Sequence, residues 1–472
     1  MTAGTTGHAV VVGAGPAGLL AAHALAERFE RVTVVERDTL PDGAPAFRAG
    51  TPQSRHAHIL WSRGLRALDE LLPDVVGDLE AAGGTVVGAP EQMRWLSPAR
   101  WFTGVKGAHY LSASRELLES TLRHRILGRP SIALMDRHEV TGLLPAPRAE
   151  AAEGAGAAEG AGAAEGAGAA EGAGAVEGVR LRERGGQGQE TTLHAELVVI
   201  AAGRGSRPAQ WLLELGYPTP ATERVDAHLG YSSRYYRRPA AENRWKAMYV
   251  QGNPGAPRSG VIVPIDGGRW LVTLIGQGEH RPPVEESAWL AFASSLRSEE
   301  LSQALAGAEP LSDAVAFRAT ANEWTHFEQA RRWPAGLLVV GDALCRFNPV
   351  YGHGMTVAAL QAEVIRDQVS ARGPVEFAVR APRMQKAVAK CPRAAWAIAT
   401  GEDCRYPGTD GPKPGRLGRI QQNYMGRVLA AANTDPLVAE AFFAVLSLNR
   451  RPETLLAPRI AARAGRRRAS PL

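Results

Sequence analysis

The residues with the clearest chemical meaning are three glycines in the segment Gly13-Ala-Gly-Pro-Ala-Gly18. Gly13 would allow a tight turn, Gly15 would let a pyrophosphate approach the backbone, and Gly18 would let a helix pack closely on a sheet. A helix that begins in this segment also directs free N–H groups and the positive end of its dipole at the phosphates. The spacing therefore predicts a dinucleotide site, with these residues at the pyrophosphate: Gly13, Gly15, Pro16, Ala17 and Gly18.

The elements on either side have the order that such a site requires. Residues 8–12 form a β-branched run typical of a buried parallel strand, and residues 19–29 carry apolar side chains at helical spacing. A second apolar run, residues 32–36, ends in Glu36, whose carboxylate can accept hydrogen bonds from a ribose. A lone glycine motif would be compatible with a structural turn, whereas this complete order predicts a βαβ nucleotide-binding unit.

The composition is that of an ordinary enzyme, with 45% hydrophobic and 22% charged residues in a chain of 472 residues. The cysteines, Cys345, Cys391 and Cys404, have no Cys-x-x-Cys spacing, which argues against a disulfide framework or a cysteine metal site. His56 and His58 lack nearby carboxylate or cysteine partners, so no metal is expected. The sequence shows no signal-peptide pattern, no apolar run of membrane-spanning length and no nucleic-acid-binding module, and we expect a cytoplasmic protein.

The wider pattern predicts an α/β protein with three regions. A Rossmann-like domain would comprise residues 1–88, 111–215 and 331–372. Residues 89–110 and 216–330 would form an inserted, mainly antiparallel sheet that binds the substrate, because long alternating strands are separated there by turns such as Asp266-Gly-Gly268. Residues 373–472 have mostly helical patterning and would form a helical C-terminal region.

Residues 151–174 repeat the sequence Ala-Ala-Glu-Gly-Ala-Gly four times. The Gly-Ala-Gly triplets imitate the start of a second nucleotide motif, but no apolar strand precedes them and no helical pattern follows. We interpret residues 151–178 as a disordered loop inserted between neighbouring strands. No second dinucleotide motif is therefore visible.

Two later strand ends carry residues that suit a cofactor. The apolar strand at residues 195–203 ends in Ala202 and Gly203, where a cofactor could lie against the backbone. Another apolar strand ends in Asp342, at the edge where α/β sheets place ligand groups. Gly352 and Gly354, at the start of the following helix, would offer backbone N–H groups to an electron-rich ring edge.

Three arginines could reach the phosphates. Arg48 and Arg55 follow the first nucleotide-binding unit closely in sequence. Arg115 lies in the first turn of a predicted helix with Ser112 as its N-cap, where a cation opposes the helix dipole. A nearby anion such as the pyrophosphate would explain the position of Arg115.

Together these motifs resemble the p-hydroxybenzoate hydroxylase-type flavin monooxygenases. The resemblance rests on the glycine motif with Glu36, on Ala202-Gly203, and on Gly341-Asp342 followed by Pro349 and Gly352-x-Gly354. Two further segments, residues 50–58 and 347–355, are similar to those of the actinomycete flavin epoxidases of polyether-antibiotic biosynthesis, distant relatives of squalene epoxidase. That similarity continues through residues 396–403.

The resemblance implies noncovalently bound FAD. Glu36 would hold the adenosine ribose, Arg48 and Arg115 the pyrophosphate region, and Asp342 the ribityl chain, while Pro349 and residues 352–355 would face the isoalloxazine ring. The implied cofactor-binding set is Gly13, Gly15, Pro16, Ala17, Gly18, Glu36, Arg37, Arg48, Arg115, Val140, Ala202, Gly203, Asp342, Pro349, Gly352, His353, Gly354 and Met355.

The activity implied is epoxidation of an apolar polyene or polyketide, free or linked to a carrier protein. Reduced FAD would react with O2 to give a C4a-hydroperoxide, whose distal oxygen the alkene attacks, so no catalytic side chain is needed. NAD(P)H or a partner flavin reductase would supply the electrons. Aromatic residues 95–110 and those of the second sheet would either line the substrate pocket or form ordinary core; the latter are Tyr231, Tyr235, Phe317 and Trp324.

Other functions remain open. Aromatic hydroxylation uses the same oxygen chemistry, but it usually needs a polar relay that ionises a phenol, and no cluster of His, Tyr or Asp is evident in the second sheet. Halogenation is disfavoured because the Trp-x-Trp-x-Ile-Pro motif is missing, although Lys106 could replace the lysine of those enzymes. A flavin-binding protein without turnover is the third alternative.

Overall fold

The computed structural model of the protein describes residues 7–41, 43–48, 50–146, 174–185, 188–240 and 244–465. The repeat of residues 151–174 falls almost entirely outside these ranges. The predicted end of the loop at residue 178 is wrong, because a strand already begins at Val176. The prediction that the loop joins neighbouring strands is confirmed, since the strands before and after it pair antiparallel.

The described part of the chain contains twenty strands. They are β1 His8–Val12, β2 Arg31–Val35, β3 Ile59–Trp61, β4 Thr85–Ala89, β5 Met93–Leu96, β6 Ala108–Ser112, β7 Ile132–Met135, β8 His138–Pro145, β9 Val176–Glu183, β10 Glu190–His194, β11 Leu197–Ile200, β12 Thr222–Val225, β13 Leu229–Arg237, β14 Ala247–Val250, β15 Arg258–Ile265, β16 Arg269–Gln277, β17 Val315–Phe317, β18 Asn322–Thr325, β19 Leu337–Val339 and β20 Cys345–Arg346.

The same residues form fourteen α-helices. They are α1 Pro16–Leu25, α2 Ser62–Leu71, α3 Val75–Ala81, α4 Arg115–Leu127, α5 Pro208–Glu214, α6 Glu286–Ser294, α7 Glu300–Leu305, α8 Gly354–Arg372, α9 Pro374–Val379, α10 Ala381–Val388, α11 Arg393–Asp403, α12 Arg416–Ala432, α13 Pro436–Leu446 and α14 Pro458–Gly465.

A parallel sheet of the order β19-β11-β1-β2-β7 forms the centre of the nucleotide-binding region. Val10 of β1 aligns with Thr33 of β2 on one side and with Val198 of β11 on the other. The inner strands are almost wholly apolar because helices cover such a sheet on both faces. Helices α1 and α8 pack on each other, so both helix N-termini lie near the carboxyl ends of these strands.

The second large sheet has six strands in the order β17-β13-β16-β15-β14-β5, antiparallel except for the parallel pair β14–β5. Helices α6 and α7 cover its outer face, where Trp289 packs in one cluster with Trp270 and Leu274. On the inner face, Tyr231 and Phe317 pack with Val350. The predicted α/β class with a mainly antiparallel sheet and a helical C-terminal region is confirmed.

Two predicted boundaries of this sheet do not follow the strand pairing. Residues 89–110 were assigned to the sheet, but only β5 joins it, while β6 pairs with β3 and β4 in a separate three-stranded sheet. Within residues 216–330, β12 and β18 instead pair with each other and β18 also with β20. These short strands form small sheets of their own, and pattern and spacing alone do not reveal which strands pair.

The C-terminal helices pack on two different parts of the molecule. Helix α10 lies against β19, where the side-chain oxygen of Gln385 accepts a hydrogen bond of 2.9 Å from the N–H of Val339. Helices α12 to α14 instead cover Trp95 and Tyr110, which pack in one cluster with Phe443. Among the described residues no helix is both long and apolar enough to cross a membrane.

Candidate dinucleotide-binding site

The turn between β1 and α1 requires glycine at two positions. Gly13 has φ +104°, and a Cβ there would lie 2.8 Å from the carbonyl oxygen of Ala201. A Cβ on Gly18 would lie only 1.8 Å from the carbonyl oxygen of Gly13, so α1 approaches the turn as closely as backbone atoms permit. The sequence therefore brings the helix directly onto the strand end.

The N-terminus of α1 is open to a ligand. The helix begins at Pro16 after Gly15, which makes no side-chain cap. Among the described residues, the one atom within 4 Å of a Cβ built on Gly15 is Nη2 of Arg48, at 3.9 Å. Uncapped N–H groups and a facing guanidinium together favour a phosphate at this point.

The carboxylate of Glu36 is fixed at the end of β2. It accepts hydrogen bonds from the N–H of Ala14 at 2.8 Å and of Asp38 at 3.1 Å. Nη1 of Arg48 lies 3.3 Å from it, and the side chain is nearly buried. These bonds orient the carboxylate and leave further lone pairs for a ribose hydroxyl.

Arg48 and Arg115 share one buried carboxylate. Nε of Arg48 lies 2.9 Å and Nε of Arg115 lies 2.7 Å from Glu119. Burial opposes ionisation of Glu119, but Arg115 and Arg48 outweigh it and lower the pKa of this carboxyl. A nearby anion was expected to explain Arg115 in the first turn, and within the protein that anion is Glu119, four residues along the same helix, rather than a pyrophosphate.

Two other details of this region correct the sequence interpretation. The N-cap of α4 is Ser114, whose side chain accepts the N–H of Leu117, whereas Ser112 ends β6 and donates to the carbonyl of Pro264. Arg55 is exposed and lies over the ring of Phe47 at 4.2 Å. Arg55 is not among the residues that line the cavity described below.

The start of α8 forms a second uncapped helix N-terminus. Gly352 has φ +65°, and a Cβ there would lie 2.5 Å from Ile59, so the segment before the helix is tightly folded. The carboxylate of Asp342 lies 3.9 Å from a Cβ built on Gly354, beside the first turn. Nε of Arg204 lies 3.9 Å from the other oxygen of Asp342.

His353 presents an unused acceptor at the same place. Its Nε2 is 2.9 Å from the carbonyl of Leu446 and must donate to it, since a carbonyl only accepts. Burial lowers the pKa of His353 to about 4, so the ring is neutral near pH 7. Nδ1 is then an acceptor that has no partner within the described structure, although it is buried.

One cavity of about 670 Å³ connects both helix N-termini. Of the predicted cofactor-binding residues all but Gly18 line it, and Gly18 lies beneath the turn that Gly13 forms. The predicted lining residues are Gly13, Gly15, Pro16, Ala17, Glu36, Arg37, Arg48, Arg115, Val140, Ala202, Gly203, Asp342, Pro349, Gly352, His353, Gly354 and Met355.

Sequence analysis missed several lining residues, among them Gln53, Arg204, Arg207, Phe347 and Asn348. Arg204 directly follows Gly203, so the argument that ligands bind at the ends of apolar strands, which identified Gly203, could also have identified Arg204. Arg204 donates to the carbonyl of Ala319 in the sheet region, and it therefore bridges two regions at the cavity. Nothing in the sequence indicated that Gln53 lines a cavity, apart from its place in the segment of residues 50–58.

The aromatic residues divide between cavity and core. Phe317 lines the cavity, and Tyr231 stacks on it with ring centroids 6.3 Å apart. Trp324 instead packs edge-on against Trp396 in the core. Trp95 is likewise core, so for these two tryptophans the alternative interpretation was the correct one.

A buried polar network adjoins the aromatic end of the cavity. The hydroxyl of Tyr231 donates to the side-chain oxygen of Asn348, and the amide of Asn348 donates to Asp403 at 3.4 Å. The hydroxyl of Tyr351 also donates to Asp403, at 2.6 Å. No cluster of His, Tyr or Asp was evident in the second sheet, and this network lies outside it except for Tyr231 of β13. Its other members come from the segment before α8 and from the end of α11.

The geometry fits FAD in the way that the resemblance implied. The two uncapped helix N-termini suit a pyrophosphate and a ring edge, and Glu36 suits a ribose. The unpartnered Nδ1 of His353 suits a ligand N–H or O–H. Among the described residues no group of His, Cys, Asp and Glu side chains has the arrangement of a metal site.

Comparison with known proteins establishes the family. Residues 7–365 match the family described as FAD binding domain, and the chain belongs to this family. The Mycobacterium tuberculosis protein Rv3254 is 32% identical over 453 residues, which cover 93% of this chain and 89% of that protein.

Solved structures share the fold at low identity. A probable FAD-dependent monooxygenase of Pseudomonas aeruginosa, pqsL, has a TM-score of 0.59 at 16% identity and covers 85% of this chain and 98% of its own. A flavoprotein/dehydrogenase of Cytophaga hutchinsonii has a TM-score of 0.61 at 15% identity, with 97% and 96% covered. The flavin-dependent brominase Bmp2 has a TM-score of 0.59 at 15% identity, with 94% of each chain covered. The fold is thus that of flavin-dependent monooxygenases and halogenases.

Proposed function

We propose that this chain is a FAD-dependent monooxygenase that epoxidises carbon–carbon double bonds of an apolar polyene or polyketide. The observation that carries the proposal is the wall of the cavity beside the start of α8. Phe317, Phe347 and Ile59 line it there. Such a surface favours an apolar chain over a charged substrate.

Bound FAD, once reduced, would activate O2, and one oxygen atom of that O2 would enter the substrate. The residues of the chain would hold and orient the reactants. Glu36 and the turn at Gly15 would fix the nucleotide half, and Asp342 the ribityl chain. The free N–H groups of Gly354 and Met355 would stabilise negative charge on the ring edge, and the aromatic wall would exclude water from the reaction.

The resemblance of residues 50–58 and 347–355 to the polyether epoxidases supports an alkene substrate. An alkene attacks the activated oxygen with its own π electrons and needs no acid or base from the protein. NAD(P)H or a partner flavin reductase would provide the electrons, and a carrier protein could deliver the substrate. We place this activity in the cytoplasm.

Hydroxylation of a phenol is the second candidate, and the network of Tyr231, Asn348 and Asp403 favours it. This network reaches the cavity through Asn348, whose amide could hydrogen-bond the hydroxyl of a bound phenol. Halogenation has less support, because Lys106 is exposed and is absent from the cavity lining.

The test is incorporation of labelled oxygen. Purified protein with FAD, NADPH or a flavin reductase, and ¹⁸O2 would be incubated with candidate polyenes and with phenols, with bromide and chloride present. Loss of a double bond with gain of one labelled oxygen per bond would support epoxidation. A labelled phenol or a halogenated product would replace the proposal, and oxygen uptake that no substrate stimulates would favour a flavoprotein without turnover. Flavin and reductase without the protein give the background.

A further inference from the structure

Asp403, the last residue of α11, is a buried acid that the proposed chemistry does not use. It is 1% exposed. Besides the bonds from Tyr351 and Asn348, its carboxylate accepts one of 2.6 Å from the side-chain N–H of Asn322. Its partners thus come from β18 and from the segment before α8.

These bonds hold residues 348–352, which contain three residues of the cavity wall, Asn348, Pro349 and Gly352. The N–H of Asn348 donates to the side-chain oxygen of Asn322 at 2.8 Å. The N–H of Val350 lies 3.2 Å from the hydroxyl of Tyr231 on the substrate sheet. Asp403 therefore ties the C-terminal region, this segment and the sheet together.

All three donors are neutral, so no positive charge on a partner explains a carboxylate at this position. A buried carboxylate without a cation is costly. Within the described structure no Lys, Arg or His forms an ion pair with Asp403, and the neighbouring Arg405 is paired with Glu402 at 3.0 Å. The other titratable groups that influence this site are Tyr231, Tyr406 and Cys404, which are neutral at pH 7, and the carboxylate of Glu402. Burial, despite three donors, raises the pKa of Asp403 to about 6.

We propose that Asp403 is a positioning residue whose gain and loss of a proton changes the hold on residues 348–352 and hence the surroundings of the flavin ring. The ionised form accepts from Tyr351, Asn322 and Asn348 together, whereas the protonated form presents a donor of its own and cannot keep all three bonds. This inference rests on the proposed function only in placing the flavin ring beside residues 348–352.

The experiment follows the visible absorption of the bound FAD between pH 5 and pH 8 in the full-length holoprotein. We expect a one-proton transition with a midpoint near pH 6 in the unmodified protein. Asp403→Asn should abolish it while FAD stays bound. Glu402→Gln is the matched control, because it removes a charge one residue away that makes no contact with the segment, and it should keep the transition with only a slightly lower midpoint.

If Asp403→Asn does not bind FAD, the variant Tyr351→Phe tests the inference instead. Removing a donor destabilises the ionised form, so the midpoint should rise by about one pH unit. A spectrum of the unmodified holoprotein that does not change with pH, a transition that persists in Asp403→Asn, or an unchanged midpoint in Tyr351→Phe would overturn the inference. The assay needs no substrate. If the unmodified protein shows the transition, the variants change it as expected and the protein forms no epoxide, the proposed activity is rejected while the role of Asp403 stands.

Discussion

Replacing Gly18 by alanine tests whether the close approach of α1 builds the phosphate site. The new Cβ would lie 1.8 Å from the carbonyl oxygen of Gly13, so helix and turn must separate by more than an ångström. Such overpacking costs about 1–3 kcal/mol, of which the better helix propensity of alanine returns about 1 kcal/mol. The shift also misaligns the N–H groups at Gly15. Loss of one hydrogen bond to a charged phosphate, about 1.5–3 kcal/mol, would weaken FAD binding ~10- to 100-fold.

Gly77→Ala is the matched control, since Gly77 also lies in a helix but has no atom within 4 Å of a built Cβ. It should leave FAD binding unchanged and gain about 0.5–1 kcal/mol of stability. Thermal unfolding and FAD titration of both variants give the comparison. If Gly18→Ala binds FAD like the unmodified protein and melts no lower, the contact is not what shapes the site and the reasoning is refuted.

Three further predictions follow from the same structure. Asp342→Ala should weaken FAD binding by about 1.5–3 kcal/mol in a titration. The control Asp367→Ala removes a carboxylate that is 62% exposed and should leave FAD binding unchanged. Equal effects of the two substitutions would contradict the assignment of Asp342. Deleting residues 151–173, which keeps Gly174 and its hydrogen bond from Tyr217, should leave the melting temperature and FAD content nearly unchanged, because each doubling of loop length costs only about 0.6 kcal/mol. A large loss of either would show that the repeats act in the fold. Burial lowers the pKa of His56 to about 4, so near pH 6.5 the unfolded chain binds a proton on this residue that the folded chain does not bind. The free energy of unfolding should therefore fall as the pH drops from 6.5 to 4, by about 1.4 kcal/mol per pH unit for this residue. His56→Gln should flatten that slope in urea unfolding.

The nucleotide-binding half could be predicted from sequence because its signals are local. Turn, strand and helix around Gly15 follow one another within thirty residues, and each constrains the next. Asp342 could be placed at the cavity from a strand end alone, since the carboxyl ends of parallel strands share one edge of the sheet.

The polar network and the aromatic residues of the second sheet could not be predicted in this way, because their contacts join residues that are distant in sequence. Tyr231 and Asn348 are 117 residues apart, and Asn348 and Asp403 are 55 apart, so no periodicity relates them. Whether Trp95 lines a pocket or fills a core depends on the C-terminal helix that carries Phe443, and a single sequence does not reveal that packing.

The strands on either side of the repeat meet at a fixed point. The N–H of Ala146 donates to the carbonyl of Ala175 at 2.8 Å, so the two ends of the intervening stretch are hydrogen-bonded neighbours on the sheet. The length of the intervening stretch could therefore change without moving either strand. A chain cut within that stretch would keep its two new ends side by side, held by the hydrogen bond between these two alanines.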